Sequence, residues 1–198
     1  MTPPSPTSAD SAAHTDPLLA RHWEHALPWS DYLETVVEKR DLWLANARRS
    51  TLRDEERARL HALPGARRVL VLSEDWCGDA LRSLPSLAQA LDAAPGVEAR
   101  YLPLDAHPDA IEGLRTHGGA AIPMLVVADE HGERLGSWGP RPAPLQALLR
   151  ARRSSFGAPT AETMAEFYAP IMAWYAKDKG VTTLQEVLML LERGGSAR

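Results

Sequence analysis

The strongest constraint on the fold is the apolar run Val69-Leu70-Val71-Leu72 taken together with the nearby segment Trp76-Cys77-Gly78-Asp79-Ala80, which holds the one cysteine in 198 residues. The run reads as a strand from Val69 to Ser73, and the residues from Gly78 to Ala93 read as a helix, so the thiol sits where a strand hands over to a helix. A second apolar run, Leu125-Val126-Val127, is opened by Ala121-Ile122-Pro123-Met124, which places a proline at the first residue of another strand.

Strands and helices alternate throughout residues 66–153. Val97 to Leu104 reads as a strand, and a short helix comes after Pro108, since proline is well placed in a first helical turn. Leu125 to Ala128 and Glu133 to Trp138 read as a hairpin around Glu130-His131-Gly132, and Pro144 to Arg152 as a closing helix. A βαβ unit requires parallel strands and a hairpin an antiparallel pair. The expected fold class is therefore α/β, a mixed sheet flanked by helices.

These segments resemble the thioredoxin-like family. Trp76-Cys77-Gly78 matches the start of its Trp-Cys-Gly-Pro-Cys motif, and Pro85 falls at the helix-kinking proline. Ile122-Pro123 matches the cis-proline dipeptide facing the thiol, and Gly132 matches the glycine of the last hairpin. A bacterial branch is more similar still, through Asp75 to Asp79, the Gly-Gly-x-x-Ile-Pro segment Gly118 to Pro123, and the Trp-Gly-Pro-Arg-Pro segment Trp138 to Pro142. The resemblance implies a cis bond before Pro123, with the Ile122 backbone free to pair with an extended substrate. It also exposes two departures. Ala80 stands where the resolving cysteine belongs, and Val71 where a buried acid belongs. A mixed disulfide is released by a second thiol, so this chain has no internal means of release.

Outside the core segment, residues 1–17 are rich in Pro, Ser, Thr and Ala and read as a disordered tail. Residues 18–65 read as an N-terminal helical extension. Ser30 caps a helix carrying Leu33, Val36, Val37, Leu44 and Ala47, and Thr51 with Asp54 caps a second. Residues 154–198 read as a C-terminal helical extension with two apolar stripes, one of Met164, Phe167, Ile171, Trp174 and Tyr175, the other of Leu184, Val187, Leu188 and Leu191. Both stripes are expected to pack on the central domain.

With 22 basic and 26 acidic residues the formal charge is −4, which gives no electrostatic reason to expect nucleic acid or an anionic membrane as a partner. The pairs Arg48-Arg49, Arg67-Arg68 and Arg152-Arg153 read as cations near helix ends or solvated strand starts. The N-terminus does not resemble a signal peptide, the longest apolar stretch is too short to span a bilayer, and one unpaired cysteine fits a reducing compartment, so the cytoplasm is the expected location.

Cys77 is the candidate nucleophile, because unpaired N–H groups at a helix N-terminus favour the thiolate. It is expected to be exposed, with Asp75 and Asp79 opposing ionisation as like charges. Asp79 either stabilises the first helical turn, or accepts hydrogen bonds from a substrate or holds a proton for Cys77. Arg141 either belongs to a stiff turn beside a core Trp138, or points to the thiol, offsetting the carboxylates or binding the carboxylate of a small thiol. Trp76, Gly78, Asp79, Ile122, Pro123 and Arg141 are the candidate substrate contacts. The seven histidines are scattered without metal-ligand spacing, so no metal and no cofactor is expected beyond an external low-molecular-weight thiol. The leading expectation is a single-thiol oxidoreductase acting on protein or small-molecule thiols and disulfides. A redox-inactive peptide-binding module and a thiol sensor are the alternatives, and oligomeric state stays open.

Overall fold

Val69, Leu70, Val71 and Leu72 of β1 (Arg67–Ser73) are all fully buried, which a strand achieves only with partners on both edges and cover on both faces. The computed structural model, which describes residues 15–49, 51–114 and 119–194, supplies all four. β1 pairs in parallel with β2 (Val97–Pro103) and antiparallel with β3 (Met124–Asp129), and β4 (Arg134–Trp138) continues from β3, giving the order β2-β1-β3-β4. This is the mixed sheet expected from the sequence, with β3 starting one residue after Pro123.

The chain is ordered earlier than expected. Residues 1–14 of the proposed tail lie outside the described residues, but Asp16 accepts the N–H groups of Leu18 and Leu19 and caps α1 (Pro17–His22). A 3-10 turn, Trp23–His25, leads to Leu27, which exchanges backbone hydrogen bonds of 2.8 and 2.7 Å with Tyr101 and so covers the outer edge of β2.

The helix expected to start at Ser30 and run to Ala47 is two helices, α2 (Trp29–Thr35) and α3 (Arg40–Arg49). Pro28, not Ser30, occupies the capping position. The chain turns out at Val36, Lys39 takes a left-handed φ of +53°, and Arg40 reaches back to the carbonyls of Leu33 and Val36. Val37 consequently leaves the apolar stripe and is 81% exposed. α4 (Asp54–His61) is likewise not capped by Thr51: Arg53 occupies the cap, and its N–H donates to the Glu56 carboxylate at 3.0 Å.

The parallel β1–β2 pair is joined by α5 (Gly78–Asp92), whose buried face includes Ala80, Leu84, Leu87 and Leu91. Pro85 lies inside it and has no N–H for the Leu81 carbonyl. Asn46 of α3 replaces that donor, its Nδ2 lying 2.9 Å from Leu81 O. After a 3-10 segment, Pro108–Leu114, and the β3–β4 hairpin come α6 (Ala143–Phe156), α7 (Met164–Asp178) and α8 (Val181–Leu191). α6 runs past the helix end expected at Arg152. Leu184, Val187, Leu188 and Leu191 of α8 join the main core, whereas Phe167, Ile171 and Tyr175 of α7 form a separate apolar cluster with Leu145 and Leu149. Met164 falls off that stripe and is exposed. Arg67, expected either as a cation near a helix end or at a solvated strand start, is buried at a helix end. Its guanidinium donates to Leu191 O at 2.8 Å and Arg193 O at 3.0 Å and closes the end of α8.

Candidate functional site

Strand direction decides where the site is. Ser73 at the end of β1 lies opposite Pro103 at the end of β2, Leu72 opposite Met124 at the start of β3, and Leu125 opposite Trp138 at the end of β4. Residues 74–77, 104–107, 119–123 and 139–142 therefore gather at one end of the sheet, where the helix after β1 begins. Gly118 of the matched Gly-Gly segment lies outside the described residues.

Cys77 is the N-cap residue of α5, but it is only 7% exposed, which corrects the expectation of an open thiol. Ile122 and Pro123 lie against it, joined by a cis peptide bond, and the Cys77 Sγ–H donates to Ile122 O at 3.3 Å. Burial pushes the thiol above its ordinary pKa and the Asp79 carboxylate adds to this. The N–H groups of Ala80 and Asp79 and the Arg141 guanidinium pull the other way without reversing it.

Of the two acids expected beside the sulfur, one is engaged elsewhere. Asp75 Oδ2 accepts the N–H groups of Val37 and Glu38, both at 2.8 Å, and Trp43 Nε1 donates to its backbone oxygen at 3.2 Å. These bonds hold the segment between α2 and α3. Asp79 does stay at the site: its Oδ2 pairs with Arg141 and its Oδ1 accepts the Tyr175 hydroxyl at 2.8 Å. The side chains of Asp79 and Arg141 are 14% and 19% exposed.

Arg141 thus reaches the site, and its turn is fixed by several contacts. Gln146 Nε2 donates to Gly139 O at 3.1 Å and Arg141 O at 2.8 Å. Gly139 has φ +130° and passes so close to the other loop that a Cβ there would overlap Pro123 O. Trp138 is buried and its Nε1 donates to Glu186 of α8 at 2.7 Å. On the other flank Trp76 is 53% exposed, with its Nε1 3.1 Å from Asp105 Oδ2. Gly78 O accepts Arg82 Nη1 at 2.6 Å. Trp76, Cys77, Gly78, Asp79, Ile122, Pro123 and Arg141 all lie at this end of the sheet. Tyr175 also belongs here, although the sequence showed it only as one member of an apolar stripe.

The histidines are less scattered than their spacing suggests, since His107 stacks on His25 at 5.4 Å and meets His22 edge-on at 5.7 Å. Among the described residues no group of three or more His, Cys, Asp or Glu side chains is arranged to hold a metal ion, and no helix is long and apolar enough to cross a membrane.

No curated protein matches this chain. Among solved structures it is similar to an HIV epitope scaffold, with TM-score 0.67, 19% identity, and coverage of 89% of this chain and 98% of that one. It is also similar to a protein of unknown function from Pseudomonas aeruginosa, with TM-score 0.65, 22% identity, and coverage of 87% and 96%. At these identities the likeness is one of fold. A family model described as thioredoxin matches residues 26–156, a span that takes in α2, α3 and α4 as well as the sheet, and the chain belongs to that family.

Proposed function

We propose that the protein is a single-thiol exchange protein. After the Cys77 thiol loses its proton to solvent, the sulfur attacks a disulfide of a partner, forming one S–S bond as the other partner sulfur leaves as a thiolate. An external small thiol then attacks the mixed disulfide, regenerating the Cys77 thiolate and leaving with the partner sulfur as a new disulfide. Ala80 cannot perform that release. The observation that carries the reading is the seat of the sulfur, at the head of α5 with the Asp79 and Ala80 N–H groups near it and the Ile122–Pro123 backbone alongside. A reducing cytoplasm supplies such a thiol. The exposed Trp76 ring provides a flank for an extended partner segment, while Ile122 on the other side is buried and its O accepts the thiol.

A second reading, a redox-silent binding module, is favoured by the burial of the thiol and its hydrogen bond to Ile122 O. One experiment separates the two. The protein is incubated with glutathione disulfide from about pH 6 to about pH 10, a range spanning the ordinary thiol pKa, and the adduct is followed by intact mass. The exchange reading expects one adduct, absent from Cys77→Ser, forming faster as pH rises and removed by reduced glutathione. A folded protein that forms no adduct at any pH is the binding module.

A further inference from the structure

We infer that helix α7 is a working part of the site, with Tyr175 a positioning residue that, together with Arg141, fixes the Asp79 carboxylate beside Cys77. The inference deepens the exchange reading, since it concerns what governs the reacting sulfur, but its geometry stands without it.

The Asp79 carboxylate has one partner on each oxygen. Arg141 takes Oδ2, and the Tyr175 hydroxyl donates to Oδ1 at 2.8 Å from a helix 96 residues further along the chain. The three groups are largely withdrawn from water, where a charge and its orientation act more strongly than at an open surface. Alone, a carboxylate in the first turn of α5 would satisfy the helix end but repel a thiolate at the cap. Arg141 offsets that charge, and Tyr175 occupies the other oxygen, so the carboxylate cannot rotate to meet the thiol instead.

The tyrosine is itself held from two sides. Phe167, Ile171, Leu145 and Leu149 pack with it between α6 and α7. The Arg82 guanidinium lies 5.9 Å above its ring while donating to Gly78 O, one residue from the sulfur. The other ionisable neighbours leave this control intact. Asp75 is engaged by Val37 and Glu38. Tyr32, whose titration feels Cys77, is kept neutral because burial drives its hydroxyl far above the ordinary range, and burial likewise raises the Tyr175 hydroxyl. Glu74 is engaged by the N–H of Asp105.

The single cysteine makes the test direct. Protein labelled with 13C at the cysteine Cβ gives one signal, whose shift with pH reports ionisation of Cys77 without any reagent having to enter the site. Tyr175→Phe keeps the ring and removes the hydroxyl, and should raise the Cys77 midpoint by about half a unit, roughly a threefold drop in thiolate fraction below the midpoint. Arg141→Ala should raise it further, and Asp79→Asn should lower it. In the Asp79→Asn background Tyr175→Phe should have no effect. An unmoved midpoint in Tyr175→Phe, or an equal shift in the presence and absence of the Asp79 carboxylate, overturns the inference and leaves Tyr175 as a structural tether of α7. Because the readout is ionisation, failure here is distinct from failure to form the glutathione adduct.

Discussion

Helices α5 and α7 each carry a proline in their interior, and they deal with it differently. Pro85 leaves Leu81 O without its helical donor, and Asn46 of α3 replaces it from within the protein. Pro170 leaves Glu166 O unpaired in the same way, and Arg152 of α6 donates to it at 3.0 Å, with a further bond to Phe167 O at 2.8 Å. Leu81 is buried while Glu166 is exposed, so the first carbonyl depends on a protein partner and the second can fall back on water. A helix proline thus becomes an attachment point for its neighbour, and its depth decides how much that attachment is worth. The N-terminal region is fixed to the site helix through the deep one, and α7 to α6 through the shallow one.

The largest effect should come from Asn46→Ala, which leaves a buried carbonyl unpaired and should cost about 1–3 kcal/mol in urea unfolding. The comparison sharpens in a Pro85→Ala background, where residue 85 regains an N–H for Leu81 O and the cost of Asn46→Ala should shrink. The same cost in both backgrounds would break the link between the amide and the proline. Arg152→Ala should cost less, about 1 kcal/mol, since water replaces the guanidinium at the exposed Glu166 carbonyl and the Phe167 carbonyl keeps its place in the helical ladder of α7. Its signature should be faster amide exchange confined to α7, and a loss as large as that of Asn46→Ala would remove the distinction of depth.

The smallest effect should be an acid-dependent one at α1, remote from both prolines. His22 is buried, and desolvation holds its pKa below the ordinary value, with His107, Arg21 and His25 adding to this and Asp109 opposing it. Because the unfolded chain protonates first, the contribution is fully present above about pH 6.5 and is lost as pH falls through the lower folded value. His22→Gln should flatten the slope of stability against pH below about pH 6.5. If the wild-type slope is unchanged in the variant, the histidine cluster does not report on the anchoring of α1.

The sheet and α5 were legible because uninterrupted apolar runs and helical spacing are local signals. What the sequence concealed was long-range. The break between α2 and α3 depends on Asp75, 38 residues from Val37, and no property of residues 30–47 announces it. Asp75 and Asp79 are the same residue type on either side of one cysteine, yet one holds an N-terminal segment and the other meets Arg141, a division that only the fold makes. Cys77 is met by Ile122, in the segment leading into β3, 45 residues away. Tyr175 was invisible as a site residue because its ring satisfies the apolar stripe and its hydroxyl is silent until α7 is placed on α5.

Gly139 narrows what can be altered in this protein without redesigning it. Any side chain there would have to occupy space already filled by Pro123 O, the Met124 Sδ and the Met124 Cα, so the loop bearing Arg141 has no adjustable spacer separating it from the loop that lies over the sulfur. A related chain with a side chain at this position therefore has its arginine displaced relative to the cysteine, even if every residue named at the site is still present.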